Sequence, residues 1–212
     1  MTAECELPLQ NRVDPFGELF AAPARGLFMG NRGGRIHTGD GRLTQRRWSS
    51  RQWICCVLAF KGRHRSVWGE SYTELFFLDE VTAFAAGHRP CFECRRRDAI
   101  AFAGCWQRSF KLPERPRAAD MDIKLHEERL DEAGKRRHAM PFSRLPDGAF
   151  VVIDKRAFAV RGDSLLYWAP DGYATRKRRP REGVADVLTP ASMVAVLAQG
   201  YSPRWHDSAG DR

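Results

Sequence analysis

The run ELFFLDEVTAFAAGHRPCFECR, Glu74 to Arg95, sets a strand, a helix and a cysteine knuckle end to end. Aromatic and aliphatic residues from Tyr72 to Leu78 favour a strand. Asp79 stands where a helix N-cap is wanted, because its carboxylate can take a free N–H of the first turn. The helix is expected over Glu80 to Ala86, with Gly87 in the left-handed position that ends it. Pro90 keeps the helix from resuming, and Cys91-Phe92-Glu93-Cys94 follows. A second helix is expected from about Asp98 to Phe110. Two thiolates at Cys-x-x-Cys spacing can bind one Zn²⁺ at about 2.3 Å each.

Working outward from this run, Trp53 to Phe60 (WICCVLAF) has the composition of a buried strand. Side chains alternate along a strand, so Ile54, Cys56, Leu58 and Phe60 share one face, and Trp53, Cys55 and Val57 the other. Upstream, Gly26 to Gly30 leads into Asn31-Arg32-Gly33-Gly34, which has turn chemistry between two candidate strands, the second beginning at Arg35-Ile36-His37. Residues 1–28, broken at Pro8 and Pro15, are expected as an extended arm. Downstream, a Pro-marked stretch from Leu112 to Pro116 precedes a helix expected over Asp120 to Lys135. From Pro146 the texture changes to short strands between Gly and Asp turns: AFVVI, AFAV, SLLYWA and GYAT. Thr189-Pro190 opens a terminal helix, because Pro suits the first helical position.

The expected class is therefore α+β. The arm spans 1–28, a zinc module 29–110, a helical linker 111–145, and a small β-rich domain with a terminal helix 146–212. With 43% hydrophobic and 11% aromatic residues the chain can build a core, which excludes a disordered polymer. No stretch approaches the roughly 20 apolar residues of a membrane helix. A cytoplasmic protein without membrane contact is the expectation. Six cysteines in 212 residues are too sparse for a secreted disulfide scaffold, and Cys-x-x-Cys then points to a metal.

Charge points to a polyanionic partner. The chain has 35 Lys and Arg against 26 Asp and Glu, a formal net charge of +9. From Arg42 to Arg65 it carries basic residues and no acidic one, and further clusters fall at Arg95–Arg97 and Arg176–Arg181. Such blocks favour nucleic acid. The candidate contacts are Arg46, Arg47, Arg51, Lys61, Arg63, Arg65, Arg89 and Arg95. Trp48, Trp53 and Trp68 interleave with them, which suits base stacking. His88, beside Arg89, is a further candidate for phosphate. Asn11, Arg12, Asp14, Glu18, Asp40 and Glu74 are the groups from which a metal-dependent nuclease centre would have to be drawn. Asp163, Trp168, Asp171, Tyr173 and His206 are the polar and aromatic candidates near the end.

The residues Phe76, Phe77, Ala86, Gly87, Arg89, Pro90, Cys91 and Cys94 together resemble the end of the zinc-binding domain of Ada-type alkylation-repair proteins and of small Ada-like zinc modules found beside nuclease domains. Gly30 to His37 resembles the hairpin that opens the small modules. The close match covers about 22 residues and a looser one about 29–95. The resemblance implies Zn²⁺, contact with DNA phosphates and, in Ada itself, a zinc-bound thiolate that accepts a methyl group. This chain lacks the upstream Cys-x-x-x-Cys pair of those domains. It offers Cys55-Cys56 and His37 instead. Cys91, Cys94, Cys56 and His37 are the expected ligands, Cys56 for its place beside Ile54 and Leu58, with His64 in reserve. The expected function is a zinc-stabilised nucleic-acid-binding protein, most naturally of DNA, in repair or processing. A nuclease, a thiolate alkyl acceptor and a protein–protein adaptor with a basic surface are the alternatives.

Overall fold

The computed structural model describes residues 8–63, 66–132 and 134–210. It is a mixed α+β fold. Its first sheet takes six short strands: β1 (Arg12–Val13), β2 (Leu19–Phe20), β3 (Phe28–Arg32), β4 (Trp53–Cys56), β5 (Leu75–Phe77) and β6 (Arg89–Pro90). Their order is β2-β1-β5-β3-β4-β6, with β1–β5 and β4–β6 parallel and the other pairs antiparallel. The arm is thus part of this sheet, and Val13 is buried in it.

Helix α1 (Glu80–Ala85) follows β5, and α2 (Arg96–Ser109) follows β6. Next come α3 (Ala118–Arg129) and the small hairpin β7 (Leu130–Asp131) and β8 (Gly134–Lys135). The second sheet is antiparallel throughout. It is built from β9 (His138–Pro141), β10 (Phe150–Ile153), β11 (Arg156–Arg161), β12 (Ser164–Ala169), β13 (Gly172–Arg178) and β14 (Val184–Val187). Their order is β13-β12-β11-β10-β14-β9. Helix α4 (Ala191–Ala198) lies beyond it. Among the described residues no helix is long and apolar enough to cross a membrane.

All six residues of α1 are buried, so this short helix is covered on every side. Ala83 and Ala86 pack with Val13, Phe28, Leu75 and Phe77 of the first sheet. Val81 and Ala85 pack with Phe150, Ala159 and Leu166 of the second. Phe84 joins Phe102, Met121, Leu125, Met193 and Val196 from the other three helices. Each such large side chain contributes about 1.5–3 kcal/mol of burial. The helical core therefore runs through residues on both sides of 110 and of 145.

Asp79 caps α1 as the sequence predicts, accepting from the Thr82 N–H at 2.8 Å, and Gly87 takes φ +89°. Two expectations change. The turn expected over Asn31 to Gly34 starts later, since Asn31 and Arg32 lie inside β3; the chain turns at Gly33 and Gly34, and β3 pairs with β4 rather than with Arg35–His37. A Cβ on Gly30 would stand 2.1 Å from the Ile54 carbonyl oxygen, so close strand approach explains this glycine. The helix expected to Lys135 ends at Arg129, because Leu130 is extended (φ −139°) and opens the β7–β8 hairpin.

Arg89 and Asp122 are both buried and pair through two bonds, Nε to Oδ1 at 2.9 Å and Nη2 to Oδ2 at 2.7 Å. They fasten β6 to α3. Removing the carboxylate leaves a buried guanidinium uncompensated. Asp122→Ala is expected to cost roughly 3–5 kcal/mol in a denaturant titration; a loss below about 1 kcal/mol refutes this account of the contact.

Candidate metal centre

The knuckle is assembled by the pairing of β4 with β6. Ile54 is aligned with Arg89 and Cys55 with Pro90, and the Cys91 N–H donates to the Cys55 carbonyl at 3.0 Å. This register brings the end of β4 to the start of Cys91-x-x-Cys94. The sulfurs of Cys56, Cys91 and Cys94 all lie within 4.8 Å of one another. The Glu93 N–H reaches the Cys91 sulfur at 3.4 Å. Thiolates need such donors, since they gather negative charge.

The electrostatics fit sulfurs that share protons. Hydrogen bonds from Cys56 and Cys94 pull the Cys91 thiol down, and the same contact with Cys91 holds the Cys56 thiol up. A metal cation removes this competition by taking all three as thiolates.

Cys55 faces the other way. It is wholly buried beside Phe28 and Phe77, burial pushes its thiol up, and Arg95 Nη1 donates to its sulfur at 3.4 Å. The alternation expected for this strand therefore holds through Cys56, with Trp53 and Cys55 inward. The strand stops there, and Val57 and Leu58 become part of a cleft wall.

That cleft has a volume of about 410 Å³ and opens beside the three sulfurs. Met29, Ile54, Phe60 and Phe76 give it apolar walls, and Asn31 and Glu74 add polar groups. Register explains the set, because Met29 lies opposite both Cys56 and Phe76, and Asn31 opposite Ile54. Met29, Asn31 and Phe76 were not expected at the site. For Met29 and Asn31 the signal was the alternation of β3, hidden by placing Asn31 in a turn.

His37 is not a ligand of this cluster. It is buried, its Nδ1 meets Thr73 Oγ1 at 2.7 Å and its Nε2 meets the Gly69 carbonyl oxygen at 3.0 Å. Its ring stacks on Trp68 at 5.2 Å. Both nitrogens are thus engaged in tying loops together. His64 and Arg65 lie outside the described residues.

The expected basic contacts divide by burial. Arg46, Arg51 and Lys61 are exposed. Arg63 is exposed and pairs with Glu93 of the knuckle at 2.8 Å, and Arg47 pairs with Glu18 at 2.5 Å. Arg89 and Arg95 do not reach the surface. Arg89 is spent on Asp122, and Arg95 on Glu80 and Asp98, each at 2.7 Å. Trp53 and Trp68 are core residues, which leaves Trp48, 37% exposed, as the accessible ring of the three. His88 is also core, wedged between Trp53 and Phe77.

The acidic candidates do not converge. Glu74 accepts from the Trp68 N–H, and Asp40 pairs with Arg42. Among the described residues, the three cysteines form the one group of three or more His, Cys, Asp or Glu placed closely enough for a metal. The Tyr173 hydroxyl is spent on Asp79 and the Trp168 indole on Thr82, whereas His206 gives Asp79 its backbone N–H and its ring Nδ1 meets Ser208 Oγ at 2.8 Å.

The chain matches no protein-family model, no curated protein and no solved structure.

The two faces of β4 predict unequal thiol chemistry. After treatment with a strong chelator, iodoacetamide at neutral pH followed by peptide mass mapping should label Cys56, Cys91 and Cys94 and leave Cys55 protected. Labelling of Cys55 as fast as Cys56 contradicts the assigned faces.

Proposed function

We propose that this chain is a zinc protein that binds nucleic acid, with Zn²⁺ held by Cys56, Cys91 and Cys94. The convergence of three sulfurs on one point carries the metal reading. Soft thiolates in a rigid knuckle select Zn²⁺ among the divalent ions available to a cell. The zinc would join β4 to the start of α2 and stiffen the wall of the cleft. The likeness of residues 74–95 to Ada-type modules supports the same ligand chemistry. Nucleic acid is supported by the net charge of +9 and by Arg46, Arg51 and Lys61, which have no carboxylate partner among the described residues. DNA repair or processing is the setting that the resemblance suggests.

One observation favours a second reading, a metal-dependent enzyme. Three protein ligands beside an open cleft leave a fourth position, as in catalytic zinc sites. Replacing the metal with Co²⁺ separates the readings. A visible spectrum unchanged by added azide or thiol means a closed structural site, and a shifted one means an exchangeable position. Repeating this in His64→Ala shows whether that residue closes the site.

Protein purified without chelator is expected to carry one zinc per chain by elemental analysis. Cys56→Ala should lose it on dialysis against a mild chelator, and Cys55→Ala should keep it. Metal absent from the unmodified protein refutes the proposal. Because such binding is coupled to folding, Cys91→Ser should also lower the melting temperature.

Nucleic-acid affinity should fall with salt, since binding releases counterions. Arg46→Ala should weaken binding across sequences and lower the log–log salt slope by about 1. An unchanged slope in an Arg46, Arg51 and Lys61 triple alanine variant moves the interface away from this surface.

A further inference from the structure

On the face of the β3–β4 pair turned away from the cysteine cleft, positive charge is buried without enough negative charge to meet it. The Arg32 guanidinium lies 4.2 Å from the Trp53 ring and that of Arg129 lies 4.8 Å from the same ring. Arg32 is only 2% exposed. Its Nη2 donates to the Gly17 carbonyl at 2.6 Å and its Nη1 to the Arg47 carbonyl at 3.3 Å. Its Nε is buried with no partner. Carbonyls satisfy donors without neutralising a cation. Burial, with Arg47 nearby, pulls the Arg32 guanidinium down to about 9, against the opposing charges of Glu18 and Asp14.

Arg32 forms part of the lining of a separate pocket of about 170 Å³. Glu18, Thr44, Gln45, Arg46 and Arg47 also line it. Its one carboxylate, Glu18, is taken by Arg47. Arg32 and Arg46 are left without an anionic partner among the described residues, so the pocket holds a local excess of two positive charges. The volume suits a tetrahedral oxyanion with a few waters, since a water takes about 30 Å³.

We propose that this pocket binds a phosphate group, with Arg32 and Arg46 supplying charge and Thr44 and Gln45 supplying hydrogen bonds. A doubly charged phosphate offsets the two surplus cations, and the buried Arg32 is already fixed in place by two backbone carbonyls. Fixed donors lose little freedom on binding, which favours affinity. In naming a nucleic-acid end as a source of that group, the inference rests on the reading given above; as a phosphate site it does not.

The test titrates the full, metal-loaded chain with inorganic phosphate at constant ionic strength, followed by calorimetry. One saturable site is expected. Arg46→Ala, which removes an exposed side chain, should weaken binding about tenfold. Gln45→Glu, which sets a carboxylate on the same pocket, should weaken it at least as much. No saturable binding, or an affinity unchanged in both variants, overturns the proposal. A second arm compares one short oligonucleotide with a 5′-phosphate or a 5′-hydroxyl. Tighter binding of the phosphorylated form, lost in Arg46→Ala, supports the site with a nucleic-acid end as its source. Equal binding, with inorganic phosphate still bound, supports it with free phosphate as its source. A chain that takes inorganic phosphate and binds no oligonucleotide keeps this site and refutes only the nucleic-acid reading.

Discussion

The Asp79 carboxylate is the point at which the pieces of this fold are joined. It is wholly buried and accepts from the Thr82 N–H, the Thr82 hydroxyl, the Tyr173 hydroxyl and the His206 N–H, at 2.7 to 3.2 Å. One group therefore caps α1, ties that helix to β13 and holds the chain beyond α4. Burial pushes this carboxyl up, and the donors oppose that shift. Its neighbour Glu80 does the same work for Tyr201, Arg204 and Arg95. The hydrophobic contacts of α1 depend on this seating, since a helix of six residues has little stability of its own.

The order of that region was legible because its signals are local. Asp79, Gly87 and Cys-x-x-Cys act within a few residues, and they forecast the strand, the helix and the knuckle. Strand parity separated Cys56 from Cys55 without any tertiary information. What was not legible depends on partners far along the chain. Arg89 sits in a basic, exposed-looking context, and its partner Asp122 is 33 residues away. His37 looked like a ligand because the partners that occupy it, Gly69 and Thr73, lie in a loop with no strong pattern. Strands β9 and β14 pair with each other and their composition carries little strand signal. Helix α4 returns to pack on α2 and α3 and completes their core, a contact between distant segments that no local signal announces.

The β3–β4 pair gives the molecule two chemically opposite sides. Met29, Asn31, Ile54 and Cys56 line the cleft with the sulfurs, and Trp53 on the other face is flanked by guanidinium groups. The same alternation separates the three-sulfur cluster from the guanidinium groups. Each cross-strand pair contributes one residue pair to one side, so a shift of register by one residue would exchange the two surfaces and bury the wrong one. Gly30 helps to prevent such a slip, because the close approach of the Ile54 carbonyl leaves no room there for a side chain.

The dependence of α1 on residues near 201–206 also governs how the chain can mature during synthesis. The strands and helix that carry the cysteines emerge early, yet two buried carboxylates at the head of α1 lack their full set of donors until Tyr201 and His206 have left the ribosome. A nascent chain that has reached only the second sheet lacks the His206 N–H for Asp79 and the Tyr201 hydroxyl and Arg204 N–H for Glu80, although Arg95 can already face Glu80. Domains usually fold in order from the N-terminal side as they are made. Here the helical core and the buried carboxylates of the early half are completed by residues made last.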